Sequence, residues 1–274
     1  MPTMTSEAIH CAIIVDRKEI APGIILITFD APALVAVTRP GQFVMVIPPS
    51  GKTASTALGI YEAHDRRASV LFFVVGPRTR ELAALVEGDC INVTGPLGNG
   101  FALESGVKRI AIVAGGVGIA SVLLAAQAAV RFGAHVTLLY GARTKNLLVE
   151  RERFKEEGCD VLVATDDGSE GHHGYITDLL NELAPAPDLI LACGPSAMLR
   201  ATAAVAAQHD VAAQLSLEET FACGVGGCWG CVVPIAATSA QAPGFPPATA
   251  GGSDVVYARV CKEGPVFWAH ELRW

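Results

Sequence analysis

The hydrophobic pattern changes period once along the chain. Over residues 8–103 short apolar runs, HCAIIVDRKEI, GIILITFD, QFVMVIP, SVLFFVV and CINVTGP, alternate with turn residues, and a helical period shows only over Thr79–Val86. Short strands at such spacing predict a small antiparallel β-barrel with one inserted helix. From Val107 strand and helix patterns alternate. VKRIAIVAG, HVTLLYGAR, VLVATDDG and DLILACG read as strands, and VGIASVLLAAQAAVRFG, LLVERERFKEEG, YITDLLNEL and SAMLRATAAVAAQH as helices. Repeated βα units predict a doubly wound parallel sheet whose ligand crevice lies beyond the carboxyl ends of its strands. The chain is therefore read as multi-domain, α/β plus β. The barrel spans 8–103, the sheet unit 104–212 and a C-terminal unit 213–274, the last carrying an inserted loop at 235–253.

Composition sharpens this picture. At 274 residues, 51% apolar and 17% charged, the chain has room for two or three compact units with well-covered faces, and disorder is excluded. The net charge of −7 and the lack of a basic run argue against nucleic acid as a partner. The first residues show no basic segment leading into an apolar core, so export is not indicated. Ile110–Val130 is uncharged and long enough to cross a bilayer, but its glycines and soluble flanks predict a buried strand, turn and helix instead of a membrane span. The loop IAATSAQAPGFPPATAGGS is rich in Ala, Pro and Gly and reads as exposed, with Phe245 as its apolar point. The turn at Pro96–Gly100 reads either as a loop between strands or as a hinge to the next unit.

The chemistry concentrates in FACGVGGCWGCVVP. Cys223, Cys228 and Cys231 are spaced C-x4-C-x2-C, and Cys261 follows downstream. This is the plant-type spacing of a [2Fe-2S] cluster, in which four thiolates hold two irons. The intervening glycines let the backbone curl around the cluster and aim N–H groups at its sulfurs. A four-cysteine zinc site is the rival reading, although zinc favours two separated knuckles. Trp229 either shields the cluster or docks a partner. The other cysteines, Cys11, Cys90, Cys159 and Cys193, are scattered and read as reduced thiols, which with the cluster signature points to the cytoplasm. Three strand ends carry further candidates. The glycines of AGGVGIAS, Gly115, Gly116 and Gly118, suit either a diphosphate or tight packing. TDDGS reads as a turn. Cys193 ends a buried strand before Gly194-Pro195, where a thiol is ordinarily a small hydrophobe.

Barrel, sheet and cysteine loop in this order resemble the electron-transfer subunits of class 1B dihydroorotate dehydrogenase, within the ferredoxin–NADP reductase superfamily. The resemblance runs nearly end to end, through PGQFVMV, GPLGNGF, AGGVGIA, TDDGS with GYITDLL, CGPSAML, SLEETFACGVGGCWGCVV and VCKEGPVF. It implies FAD on the barrel, NAD(H) on the sheet unit, and a cluster that serves a catalytic flavoprotein subunit in a hetero-oligomer. It places Cys193, Gly194 and Pro195 beside the nicotinamide and the flavin, and Gly115, Gly116 and Gly118 at the nucleotide turn. Hydride then passes directly between nicotinamide and flavin, so the protein's task is alignment and exclusion of water. The chain departs from the family at the flavin. Thr56-Ala57-Leu58-Gly59 stands where Arg-Pro-Leu/Ile-Ser is usual, Leu71-Phe72-Phe73 lacks the usual arginine, and Arg78-Thr79 replaces Gly-Thr. Charge-assisted hydrogen bonds of about 1.5–3 kcal/mol each are thereby lost, and Arg78 or Arg80 is the expected compensation. The alternatives are the small subunit of an electron-bifurcating NADH-dependent ferredoxin:NADP oxidoreductase or a sulfide-dehydrogenase-like complex, against which Cys223 argues, and a flavin-free docking subunit.

Overall fold

A computed structural model describes residues 7–50, 54–239 and 255–274. The N-terminal strands are β1 (Glu7–Ala21), β2 (Ile24–Asp30), β3 (Phe43–Ile47), β4 (Thr56–His64), β5 (Arg67–Phe73) and β6 (Cys90–Leu97). They close an antiparallel barrel in the order β1-β2-β5-β4-β3-β6. Alternate residues such as Ile25, Ile27, Phe29, Val44 and Val46 point inward and fill it. Two short helices accompany the strands, α1 (Pro32–Val37) and α2 (Pro77–Ala83). The helix expected over Thr79–Val86 begins earlier. Pro77 suits a first helical turn, and the Thr79 hydroxyl accepts the N–H groups of Val75 and Gly76. Strand β4 is absent from the pattern reading. A register shift between Ile60 and Glu62 buries Tyr61 beside Ile60 and breaks the alternation that would reveal a strand.

The sheet unit contains β7 (Arg109–Gly115), β8 (His135–Ala142), β9 (Asp160–Thr165), the brief β10 (His172–His173), β11 (Leu189–Cys193) and β12 (Ala212–Ser216). Helices α3 (Leu123–Arg131), α4 (Arg151–Glu156), α5 (Ile176–Glu182) and α6 (Ser196–Gln208) connect them. Strand alternation sorts the two faces. Ile110 and Ile112 pack with α3 and α4, while Ala111 and Val113 pack with α5 and α6. Ile110–Val130 resolves as β7, a 3-10 turn over Gly116–Ser121, and α3. Among the described residues no helix is long and apolar enough to cross a membrane.

Beyond the sheet, β13 (Val232–Ala236) and β14 (Val255–Arg259) form an antiparallel ribbon, and β15 (Val266–Trp268) returns to the sheet. The sheet order is β10-β9-β8-β7-β11-β12-β15, with β15 antiparallel to β12. The C-terminal segment is thus woven into the sheet unit. The insertion anticipated over 235–253, with Phe245, lies mostly outside the described residues, which show β13 running to Ala236 and a 3-10 turn over Ala237–Ser239.

Three sets of contacts lock the units together. The Tyr61 hydroxyl donates to Glu150 (2.7 Å), and Arg153 pairs with Glu62 (2.9 Å). Burial first, and the Glu150 carboxylate second, raise the Tyr61 pKa and keep the phenol neutral. Gln214 exchanges two hydrogen bonds with the Ala102 backbone (2.7 Å each). The Pro96–Gly100 turn is a clamp, not a hinge. The Asn99 amide donates to the carbonyls of Glu263 (2.9 Å) and Val266 (2.6 Å), and its oxygen accepts the Val266 N–H (2.9 Å). One cysteine assignment changes as well. Pairing of β1 with β6 brings Cys11 and Cys90 to a Cα separation of 4.7 Å, and they form a disulfide instead of two free thiols.

Replacing Asn99 by alanine removes three partly buried hydrogen bonds at about 1 kcal/mol each. Urea denaturation is expected to show a loss of about 2–3 kcal/mol.

Candidate functional site

Strands β7 and β11 lie side by side, with Cys193 in register with Ala114. From this pair the connections wind in opposite directions across the sheet, which is where an open α/β sheet leaves its crevice. The glycines at this point do different jobs. A Cβ on Gly118 would lie 2.2 Å from the Cys193 carbonyl oxygen, and one on Gly115 would lie 2.7 Å from Met198 Sδ and 2.8 Å from Pro195 Cδ. These two are demanded by packing against the Cys193–Pro195 bend. Gly116 differs, with φ +54° and open space where its side chain would be. It is required by its left-handed backbone and not by packing.

Across the crevice stands the barrel wall. Thr56, Ala57, Leu58 and Gly59 of β4, Leu71, Phe72 and Phe73 of β5, Thr79 and Cys193 line one cleft of about 360 Å³. Leu71 and Phe73 pack on the side of the sheet unit, while the Phe72 ring belongs to the barrel core. The Thr56 hydroxyl oxygen is buried and has no hydrogen-bond partner among the described residues. An orphaned polar atom in a ligand cleft marks a place for a ligand's donor or acceptor. Gly59 leaves room for Ser121, whose Oγ lies 2.4 Å from where a Cβ at 59 would be. Arg78 stands outside the lining and donates to the Ser55 carbonyl (3.0 Å), one residue before Thr56. Arg80 is exposed. Among the described residues the lining holds no lysine or arginine, and its charged members are Glu218 and Glu219.

The sequence reading did not single out Phe43, Ser121, Ser216, Glu218, Phe221 or Pro265, all of which line the cleft. Ser121 closes AGGVGIAS, where the glycines drew the attention, and the other five fall within PGQF, SLEETF and KEGP, stretches whose order carried the resemblance but which show no chemical pattern alone. Cys193 is buried, and burial, with Glu218 nearby, pushes its thiol up to about 12. It is a neutral group at physiological pH. Glu218 as a residue is exposed, yet its carboxyl oxygen lies 3.9 Å from Cys193 Sγ, and desolvation there raises its pKa. The TDDGS stretch is a turn, with the Ser169 N–H donating to Asp167 (3.0 Å) and Gly168 at φ +68°.

The cysteine loop begins at Phe221, whose ring packs on Phe43 with centroids 4.9 Å apart. Cys231 and Cys261 are buried, Cys223 is half-buried and Cys228 is exposed. Gly224 and Gly226 have φ +70° and +82°, as a tight curl requires. The Gly227 N–H donates to Cys223 Sγ (3.3 Å) and the Cys261 N–H to Cys231 Sγ (3.5 Å). Burial opposes ionisation of Cys223, but N–H groups of Val225, Cys228 and Gly227 and the Cys228 thiol outweigh it and bring the pKa down to about 6. Burial and the neighbouring Cys231 push Cys261 up to about 12. Cys228 thus acts on Cys223 and Cys231 on Cys261, with Cys223 also near enough to Cys261 to raise its pKa. Among the described residues no three His, Cys, Asp or Glu side chains converge as one metal ion requires. Two thiolates for each of two irons suit this arrangement better than one tetrahedral zinc. Trp229 is 40% exposed and covers the Arg259 guanidinium at 4.6 Å.

Comparison with known proteins agrees with this geometry. A model described as an oxidoreductase NAD-binding domain matches residues 112–204, and one described as the iron-sulfur cluster binding domain of dihydroorotate dehydrogenase B matches residues 248–273. The solved structure of an NADH-dependent reduced ferredoxin-NADP oxidoreductase, studied for flavin-based electron bifurcation, has a TM-score of 0.83 and 29% identity, covering 100% of this chain and 92% of that one. The dihydroorotate dehydrogenase B (NAD(+)) electron transfer subunit of a Geobacillus species is 32% identical over 94% of this chain and 96% of its own length. The corresponding subunit of Caldanaerobacter subterraneus subsp. tengcongensis is 37% identical over 85% of this chain and 87% of its own. The chain belongs to the family of dihydroorotate dehydrogenase B electron-transfer subunits.

Proposed function

We propose that the chain relays electrons between NAD(H), FAD in the cleft between barrel and sheet, and a [2Fe-2S] cluster on Cys223, Cys228, Cys231 and Cys261. The cluster then serves a catalytic flavoprotein subunit acting on dihydroorotate. The observation that carries the reading is the Phe43–Phe221 contact. Both rings line the cleft, and Phe221 precedes the first cluster ligand by two residues, so cleft and cysteine loop are continuous packed protein. The bound flavin supplies two-electron exchange with nicotinamide and one-electron exchange with the cluster. The chain's own residues align and insulate. Gly118 holds the nucleotide turn against Cys193, and the neutral Cys193 thiol closes the cleft floor without adding charge. Thr56 offers its unpaired hydroxyl to the flavin, and Arg78 supplies positive charge beside the start of β4 in place of the family's arginine.

A second reading, the small subunit of a bifurcating NADH-dependent ferredoxin:NADP oxidoreductase, draws on the structural likeness to such an enzyme. Cys223 in the first ligand position speaks for the dihydroorotate assignment. Identification of the co-purifying subunit separates the two, since the first reading expects a dihydroorotate-oxidising flavoprotein. A flavin-free docking subunit is disfavoured by the retained cleft with its orphaned Thr56 hydroxyl.

Thr56→Val is expected to have opposite effects on the two states of the cleft. Removing an unsatisfied buried hydroxyl stabilises the flavin-free protein by about 1 kcal/mol, while FAD binds about tenfold more weakly, roughly 1.4 kcal/mol. Thermal melts and flavin titration read the two separately, and unchanged flavin affinity would remove Thr56 from the site. Serine at Cys231 or Cys261 is expected to abolish the cluster's visible absorption after anaerobic reconstitution while NADH still reduces the flavin. Because ligation releases thiol protons, cluster loading should strengthen as pH rises. A cluster that loads equally well with either serine variant overturns the ligand assignment.

A further inference from the structure

Both ends of the Gly226–Gly227 peptide are held. Its carbonyl accepts a hydrogen bond from Arg259 Nη1 (2.8 Å), and its N–H donates to the Cys223 sulfur (3.3 Å). A planar trans peptide turns as one body, so the group that fixes the carbonyl also aims the N–H. Packing reaches it from one side only: a Cβ on Gly226 would lie 2.5 Å from Lys262 Cδ, whereas among the described residues one on Gly227 would meet nothing within 4 Å. Arg259 is well placed to fix it. It is 8% exposed and forks onto Glu263, with Nε 3.0 Å from Oε2 and a second contact between Nη2 and Oε1. Its own N–H also donates to Glu263 (2.7 Å), and the Trp229 indole covers its outer face. On β14 it pairs with Val232, the residue after Cys231, and it stands two residues before Cys261.

We propose that Arg259 is a positioning residue that raises the reduction potential of the cluster. It turns the 226–227 peptide toward Cys223 and sets a shielded positive charge beside Cys231 and Cys261, while Glu263 tempers that charge. Reduction adds one electron to a cluster already made negative by four thiolates. An N–H aimed at sulfur and a nearby cation both stabilise the added charge, and burial limits its screening by salt. The proposal rests on the reading of the four thiols as cluster ligands.

The test is a redox titration of the cluster-loaded full chain, followed by electron paramagnetic resonance, for Arg259→Met, Arg259→Lys and Glu263→Gln. Arg259→Met is expected to lower the reduced-to-oxidised ratio at fixed poise at least tenfold, about 59 mV for a one-electron couple. Arg259→Lys keeps the charge without the fork and is expected between that value and the parent's. Glu263→Gln keeps one acceptor oxygen for the Arg259 N–H and Nε, gives up the Nη2 contact because an amide nitrogen donates, removes the opposing charge, and is expected to shift the potential upward. Opposite signs in the Met and Gln variants cannot come from simple loosening of the loop. Shifts of the same sign, or none, overturn the proposal. If Arg259→Met does not retain its cluster, Glu263→Gln decides alone: a rise supports the assignment, and an unchanged or lower potential overturns it. A parent chain that takes up no cluster overturns the ligand reading instead.

Discussion

The cysteine loop lies against the barrel because Gly224 has no side chain. A Cβ there would sit 2.5 Å from Met45 Cγ and 2.6 Å from Met45 Sδ, both on β3. Packed interiors do not accommodate such overlap without backbone movement. The consequence reaches well past one residue. With the loop seated on β3, Phe221 reaches Phe43, and the cysteine loop becomes an extension of the cleft wall instead of a separately tethered module. The Asn99 clamp secures the same arrangement from the other end, by holding the backbone that follows Cys261.

The wall of the cleft at β4 is polar at both ends without carrying a cation of its own. Where an arginine would stand, Thr56 presents a buried hydroxyl and Arg78 approaches the strand from α2 through the Ser55 carbonyl. Where a serine would stand, Gly59 admits the hydroxyl of Ser121, carried in from the opposite domain. A polar group supplied across the interface makes cleft geometry depend on how the two units sit together. The Tyr61–Glu150 and Arg153–Glu62 contacts fix that seating.

Much of this was legible in the sequence, for physical reasons that can be named. Alternation and βα repetition report strands buried on one face or two, which is why the barrel and the sheet could be read from the chain. Strand β4 was hidden because its bulge buries two consecutive residues, Ile60 and Tyr61. The role of β12 and β15 in the sheet was hidden because edge pairing between distant segments leaves no local period. Asn99 and Arg259 were invisible for a related reason. Their partners lie far along the chain or loop, at Glu263 and Val266 for the first and Gly226 for the second, and a single sequence carries no trace of such bonds. The glycine turn suited either a diphosphate or tight packing in the sequence, and the structure adds that Gly115 and Gly118 answer to sterics while Gly116 answers to its backbone angle.

The antiparallel pairing of β15 with β12 bears on the order in which the molecule is built. Domains fold as units, the N-terminal ones first as the polypeptide emerges from the ribosome. Barrel and inner sheet strands all precede Cys261, whereas the fourth thiol and the strand that anchors it come later in synthesis. The edge of the sheet is therefore closed last, onto a scaffold whose other strands are already made, with β15 acting as the final stitch.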